Sequence, residues 1–223
     1  MRTPAERHLI DSLRDYLLNA PVTVAPPVIL NIGAGRSTVI EQELVAAGCS
    51  FVCDRIDIED CSAELPVVRN CLRGSVEKMT PIESGTYSAA FANYVLEHVA
   101  DLDRAASEIS RVLKPGGIFL ASVPNLTAPE FVVARHAPAR FQKMMTHGKG
   151  FKTYYSWKSI SDLTSVFESH DLVLQEVRYY AFTQSYLLHY PVVNLLSRLY
   201  DRIISASGIR RFMGNVCIKL IRQ

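Results

Sequence analysis

Apolar positions along the chain alternate between helical and strand-like spacing. Leu9, Ile10, Leu13, Tyr16 and Leu17 fall at helical intervals behind Thr3-Pro4-Ala5-Glu6. There Thr3 suits an N-cap, Pro4 the first helical position, and Glu6 the far end of a capping box. Asn19 and Pro21 close this helix. Val28-Ile29-Leu30-Asn31-Ile32 is a short apolar run ending in glycines, which reads as a buried strand entering a turn. Residues 37–47 then read as a helix stopped by Gly48, residues 50–58 as a strand, and residues 87–92 as another after the turn Glu83-Ser84-Gly85. Leu102, Ala105, Ala106, Ile109, Val112 and Leu113 share one face of a helix that Lys114-Pro115-Gly116-Gly117 breaks, and residues 118–123 form the next strand. Residues 125–157 read as irregular, aromatic and basic. A helix over 159–169, a strand over 172–180, an amphipathic helix over 191–206 and a strand over 216–221 complete the pattern. Strands alternating with helices of roughly ten to fifteen residues imply βαβ units and a parallel sheet.

Composition narrows the class. Apolar residues are 48% of the 223, enough for one buried core. No apolar run reaches the roughly 18 residues of a membrane span, and the charged first twenty residues lack a signal-peptide core, so the expected compartment is cytoplasmic. The five cysteines are odd in number. Cys49, Cys53, Cys61 and Cys71 lack the paired C-x2-C spacing of zinc sites, so reduced thiols and no metal centre are expected. Net charge is only +2, but residues 1–130 carry 11 basic and 17 acidic side chains and residues 131–223 carry 13 and 5, so the two parts face different surroundings or attract each other.

Asn31-Ile32-Gly33-Ala34-Gly35-Arg36-Ser37 leaves a strand and opens a helix. A loop without side chains lets a ligand approach the backbone, and the helix start adds N–H groups and partial positive charge, which suits a pyrophosphate or a carboxylate. The dinucleotide fingerprint G-x-G-x-x-G fails at Thr38, which counts against an NAD(P)-dependent oxidoreductase without eliminating it. Folds of this kind place a carboxylate about 20 residues beyond the glycines to accept from ribose hydroxyls. Asp54 and Asp57 both qualify, and Ile56-Asp57-Ile58 has the pattern of a strand tip, which favours Asp57.

Four further segments follow in order: Gly74-Ser75-Val76-Glu77; residues 87–99, ending Asn93-Tyr94-Val95-Leu96-Glu97-His98-Val99; Arg111-Val112-Leu113-Lys114-Pro115-Gly116-Gly117; and Ser122-Val123-Pro124-Asn125. Together with the glycine loop this ordered set resembles the small-molecule (type 11-like) branch of the class I S-adenosylmethionine (SAM)-dependent methyltransferases. The resemblance is strong over residues 25–125. It implies an α/β fold: a Rossmann-like, doubly wound seven-stranded sheet, mostly parallel, with helices on both faces and SAM across the carboxyl ends of the first strands. It implies a single domain over 1–223, with an N-terminal helix in 1–24, a SAM-binding core in 25–124 and acceptor-side elaborations in 125–158 and 181–213. It also implies that Asn31, Gly33, Ala34 and Gly35 lie at the methionine part and Asp57, with Asp54 as the alternative, at the ribose. Ser75 and Val76 would then edge the adenine, Asn93 would sit beneath the methyl donor, and Tyr94 and His98 would belong to the cofactor-binding set. Three positions depart from the family pattern: Asn31 and Ser75 replace acidic residues, and Ser37 replaces a glycine. A non-catalytic SAM-binding module therefore stays open as an alternative.

Methyl transfer demands a nucleophile held close to the methyl in a dry site, and a hydroxyl acceptor gains from a general base. His136, His147, Tyr154 and Tyr155 are the candidates on the acceptor side. Residues 131–158 hold Arg135, Arg140, Lys143, Lys149, Lys152 and Lys158, no acid, and Phe131, Phe141, Phe151, Tyr154, Tyr155 and Trp157. The expected acceptor is a small molecule, anionic or linked to a lipid or glycan, reacting at oxygen; nucleic acid is disfavoured because the charge excess is small. The helix over 191–206 has basic flanks at Arg198, Arg202, Arg210 and Arg211. It reads either as a helix packed on the sheet or as one lying in a membrane interface.

Overall fold

Seven strands form one sheet in a computed structural model that describes residues 2–20, 25–136, 152–183 and 191–223. They are β1 (Val28–Ile32), β2 (Val52–Asp57), β3 (Val68–Arg73), β4 (Tyr87–Asn93), β5 (Leu113–Pro124), β6 (Leu172–Tyr180) and β7 (Asn215–Arg222). Their order is β3-β2-β1-β4-β5-β7-β6, with β1 to β5 parallel and β7 antiparallel to both its neighbours. The order reverses between β1 and β4, and a crevice opens there beyond the carboxyl ends of the strands.

Helices cover both faces. On one lies α1 (Pro4–Leu18), whose Ala5, Leu9, Ile10, Leu13 and Leu17 pack with Ile29, Ala89, Phe91, Ile118 and Leu120. Thr3 caps it by accepting from Glu6 N at 3.1 Å; the Glu6 side chain lies toward Arg2 at 3.9 Å, so only half of the expected capping box is present. On the other face α3 (Leu102–Val112) and α5 (Ile160–Glu168) pack Ala105, Ala106, Ile109, Leu163 and Phe167 against Ala90, Ala92, Phe119 and Ala121. The alternation of Ala89 and Phe91 with Ala90 and Ala92 on β4 is the pattern of a strand buried on both faces. A full capping box, Ser159 with Asp162, starts α5.

Four features differ from the sequence reading. Helix α2 (Val39–Ala46) starts two residues later than position 37, and the carbonyl of Ser37 accepts from Arg55. Strand β3 is a polar edge strand with Arg69, Asn70, Cys71 and Arg73 exposed, so no apolar alternation announces it. Lys114-Pro115-Gly116-Gly117 lies within β5 as an outward bulge: Leu113 pairs with Tyr87 and Ile118 with Ala89. The stretch after Pro124 contains α4 (Pro129–His136) where irregular chain was expected. Among the described residues a further α-helix, α6, spans Pro191–Ser207. No described helix is long and apolar enough to cross a membrane.

Candidate functional site

The crevice is built on the turn between β1 and α2. Gly33 and Gly35 adopt left-handed backbone, with φ of +65° and +51°. The N–H groups of Gly33 and Ala34 donate to Ile56 O at 2.8 and 3.3 Å, and that of Gly35 donates to Asp57 Oδ2 at 2.8 Å. The donors of the two glycines and Ala34 are therefore directed back into β2, and a pyrophosphate would find all three engaged. Asp57 Oδ1 accepts from Glu59 N at 2.8 Å. Each carboxylate oxygen has a second acceptor position, so Asp57 can hold the loop and still receive two ligand hydroxyls.

Beneath the loop lies a charged network that sequence reasoning missed. Arg55 is fully buried, and its Nη2 donates to the carbonyls of Ala34, Gly35 and Ser37 at 3.0, 3.1 and 2.8 Å. Its Nη1 lies 3.4 Å from Oε1 of Glu41, also fully buried, which accepts from Asn31 Nδ2 at 2.7 Å. One network thus fixes β1, β2, α2 and the loop. The signal was available: a lone arginine among the inward positions of an apolar strand requires a buried partner.

The crevice wall brings together Gly33, Asp57, Ser75, Val76, Asn93, Tyr94 and His98, along with Ile58, Glu77 and Val95. Asn31 does not reach it, because its amide is turned to Glu41. Ala34 and Gly35 form the loop's own backbone rather than the wall. Asp54 must be corrected. It is buried beneath the sheet edge, accepting from Arg69 Nε and Asn70 Nδ2 at 3.0 Å each and from Tyr87 Oη at 2.9 Å, and does not line the crevice. Tyr94 has φ +54°, and its hydroxyl donates to Asn215 Oδ1 and shares a hydrogen bond with the Thr3 hydroxyl at 2.9 Å, which ties the start of α1 to the sheet end. Asn93 Oδ1 is buried at the crevice with no protein partner, a group poised for a ligand or water.

On the acceptor side, Tyr154 does not line the crevice. It is exposed, with the Lys152 ammonium 4.5 Å above its ring. Tyr155 is half-buried against the core with φ +49°, and burial raises its phenol above the ordinary value. His136 closes α4; His147, with Arg140, Lys143 and Lys149, lies outside the described residues. Glu97 is central here. Its carbonyl accepts from the N–H groups of Tyr154 and Tyr155 at 2.9 and 3.3 Å, and Oε2 is buried without a partner. Burial pushes its carboxyl up to about 8.

The sign of the linkage follows. A group with a folded pKa near 8 and an ordinary value of 4.5 favours folding fully below pH 4.5, and that contribution is lost as pH rises through 8. Glu97→Gln, which carries no charge at any pH, is expected to flatten the decline of Tm between about pH 5 and 8.5 and to melt higher than wild type at the alkaline end. Thermal melts across that range test this; parallel curves for the two proteins would refute the buried-acid assignment.

An open sheet in this order, with a glycine turn, an acid on the next strand and a crevice at the reversal, defines a Rossmann-like class I methyltransferase fold. Residues 30–121 match the methyltransferase-domain family model. The human mitochondrial ubiquinone biosynthesis O-methyltransferase is 26% identical over 144 residues, 60% of this chain and 38% of that protein. Sterol methyltransferase-like 3 of Botryococcus braunii is 31% identical over 84 residues, 38% of this chain and 21% of that protein. The chain thus spans well under half the length of these curated relatives. Among solved structures, geranyl diphosphate C-methyltransferase from Streptomyces coelicolor A3(2), in complex with Mg2+, geranyl-S-thiolodiphosphate and S-adenosyl-L-homocysteine, superposes with TM-score 0.58 at 16% identity, covering 96% of this chain and 76% of that one. A complex of the Haloferax volcanii Trm112 activator with a methyltransferase gives TM-score 0.65 at 14% identity, covering 98% and 88%. These likenesses are to the fold.

Proposed function

We propose that this chain is a SAM-dependent methyltransferase acting at oxygen on a small acceptor of apolar body and anionic or lipid- or glycan-linked character. The observation that carries the reading is the division of labour at the loop. The N–H groups of Gly33, Ala34 and Gly35 are engaged by Ile56 and Asp57, while Asp57 keeps acceptor capacity facing the crevice. That suits a ribose without a pyrophosphate. When bound, SAM supplies a methyl on a positively charged sulfur. Asp57 would then receive the ribose hydroxyls, exposed Ile58 and buried Val76 would edge a flat base, and Asn93 would present Oδ1 near the transferring group. Gly33 lets the loop pack directly against Val95 of the crevice wall, because a Cβ there would meet Val95 at 2.3 Å. His136, at the end of α4, is the proposed proton acceptor, with His147 as its alternative. Lys152 and Lys158 supply cationic character on the acceptor side. Similarity to methyltransferases named for ubiquinone biosynthesis, sterols and geranyl diphosphate favours an acceptor with an apolar body.

Titration calorimetry with SAM, S-adenosylhomocysteine and NADH tests the cofactor. SAM and its product are expected to bind and NADH not. Asp57→Ala should weaken SAM by about thirtyfold or more, through loss of two hydrogen bonds to a charged acceptor. NADH binding in place of SAM would overturn the reading.

A further inference from the structure

Helix α6 is packed inside out. Its inward side carries Asn194, Ser197, Asp201 and Ile204, all at least nine-tenths buried. Asp201 Oδ1 accepts from Thr183 N at 2.9 Å, and Ser197 Oγ donates to Asn194 O at 2.8 Å. The outward side presents Leu195, Leu196, Leu199 and Ile203, exposed by 69, 62, 55 and 57%. Leu195, Leu199 and Ile203 recur every four residues, so they form one continuous stripe with Leu196 beside it. Of the two sequence readings of this helix, packing of its apolar face on the sheet fails for these four residues. A contiguous exposed apolar stripe on a soluble fold marks a contact surface.

We infer that this stripe docks on an anionic membrane surface. Charge decides the occupant. Arg198 and Arg202 stand exposed on the same helix, Arg210 and Arg211 are exposed just beyond its end, and the helix's one acid, Asp201, is turned inward. Apolar residues flanked by arginine fit a leaflet of acidic headgroups. A two-fold contact with a second copy would set Arg198 and Arg202 close to their equivalents and is opposed by like charge. The placement suits delivery of an acceptor. Asn125, next after β5, donates through Nδ2 to the carbonyls of Arg210 and Met213 at 3.1 and 2.9 Å, and Tyr200 Oη donates to Phe212 O at 3.2 Å. The docking face is therefore fastened to the carboxyl edge of the sheet, where the crevice opens. In assigning lipid-borne acceptors to that crevice, the inference rests on the methyl-transfer reading; the docking itself does not.

Co-flotation of the full chain with phosphatidylcholine vesicles, with and without roughly 30 mol% phosphatidylglycerol, tests it. Wild type is expected to float only with the anionic vesicles. Leu196→Glu/Leu199→Glu should not float at all, and Arg198→Ala/Arg202→Ala should bind about thirtyfold more weakly. Both variants should keep wild-type melting curves and SAM titrations. Failure of wild type to float overturns the proposal, as does a dimer in light scattering that Leu196→Glu/Leu199→Glu dissociates in a protein that does not float. SAM binding without flotation sinks the docking alone, and flotation without SAM binding sinks the methyl-transfer reading alone.

Discussion

Gly33→Ala is expected to abolish measurable SAM binding and to destabilise the fold by about 2–5 kcal/mol. Two costs combine. At φ +65° a residue with a Cβ sits in left-handed backbone, which costs about 1–2 kcal/mol. The new Cβ would stand 2.3 Å from Val95 Cγ2 and 2.7 Å from Cγ1. Val95 cannot yield without moving the crevice wall it helps to form, and such overpacking costs typically about 1–3 kcal/mol. Gly35 separates the two causes. It also has positive φ, +51°, but nothing lies within 4 Å of a Cβ built there. Gly35→Ala should therefore show only the backbone cost and retain weakened SAM binding. Denaturant titration and calorimetry on both variants decide the matter, and indistinguishable results would refute the role given to Val95.

The contrast between these glycines was not legible in the sequence, because it depends on Val95, 62 residues further along and just beyond β4. The turn itself was legible: an apolar strand running into Gly33-Ala34-Gly35 has few other uses. Asp57 and Asp54 could not be separated from spacing, since both stand near the expected distance. The structure separates them by their neighbours. Asp54 is enclosed by Arg69 and Asn70 of β3 and by Tyr87, whereas Asp57 stands at the open end of β2. The uncertainty over Asp54 and the unrecognised β3 have a single origin. A polar edge strand carries no apolar alternation, and two of its polar side chains are there to satisfy a carboxylate on the next strand. Helix α6 was legible as amphipathic, but amphipathicity does not say which side faces inward. That depended on the backbone N–H of Thr183 meeting Asp201, a long-range contact without a local signature. The acceptor-side histidines were proposed from residue type and position alone, and chemistry of that kind is the least constrained by pattern.

Arg55→Met should cost about 3–5 kcal/mol, a large share of the stability of a typical domain. The guanidinium holds the carbonyls of Ala34, Gly35 and Ser37 and is the countercharge of Glu41. Its removal leaves three carbonyls without that donor and a carboxylate buried at 0% exposure without its cation. The pair is imperfectly satisfied even in wild type: Arg55 Nε and Nη1 and Glu41 Oε2 make no hydrogen bond. A buried pair with open valences gains little over apolar residues of similar volume. Glu41→Leu combined with Arg55→Met should therefore regain much of the lost stability, the double variant melting well above the single one. Ligand binding should not follow. The loop carbonyls remain untied in the double variant, so Gly35 is free to shift, and with it the N–H that orients Asp57. Recovery of stability without recovery of SAM affinity is the expected signature of a network that shapes the loop rather than one that merely holds the core. If SAM affinity returns together with stability, the arginine has no part in presenting Asp57 to the crevice.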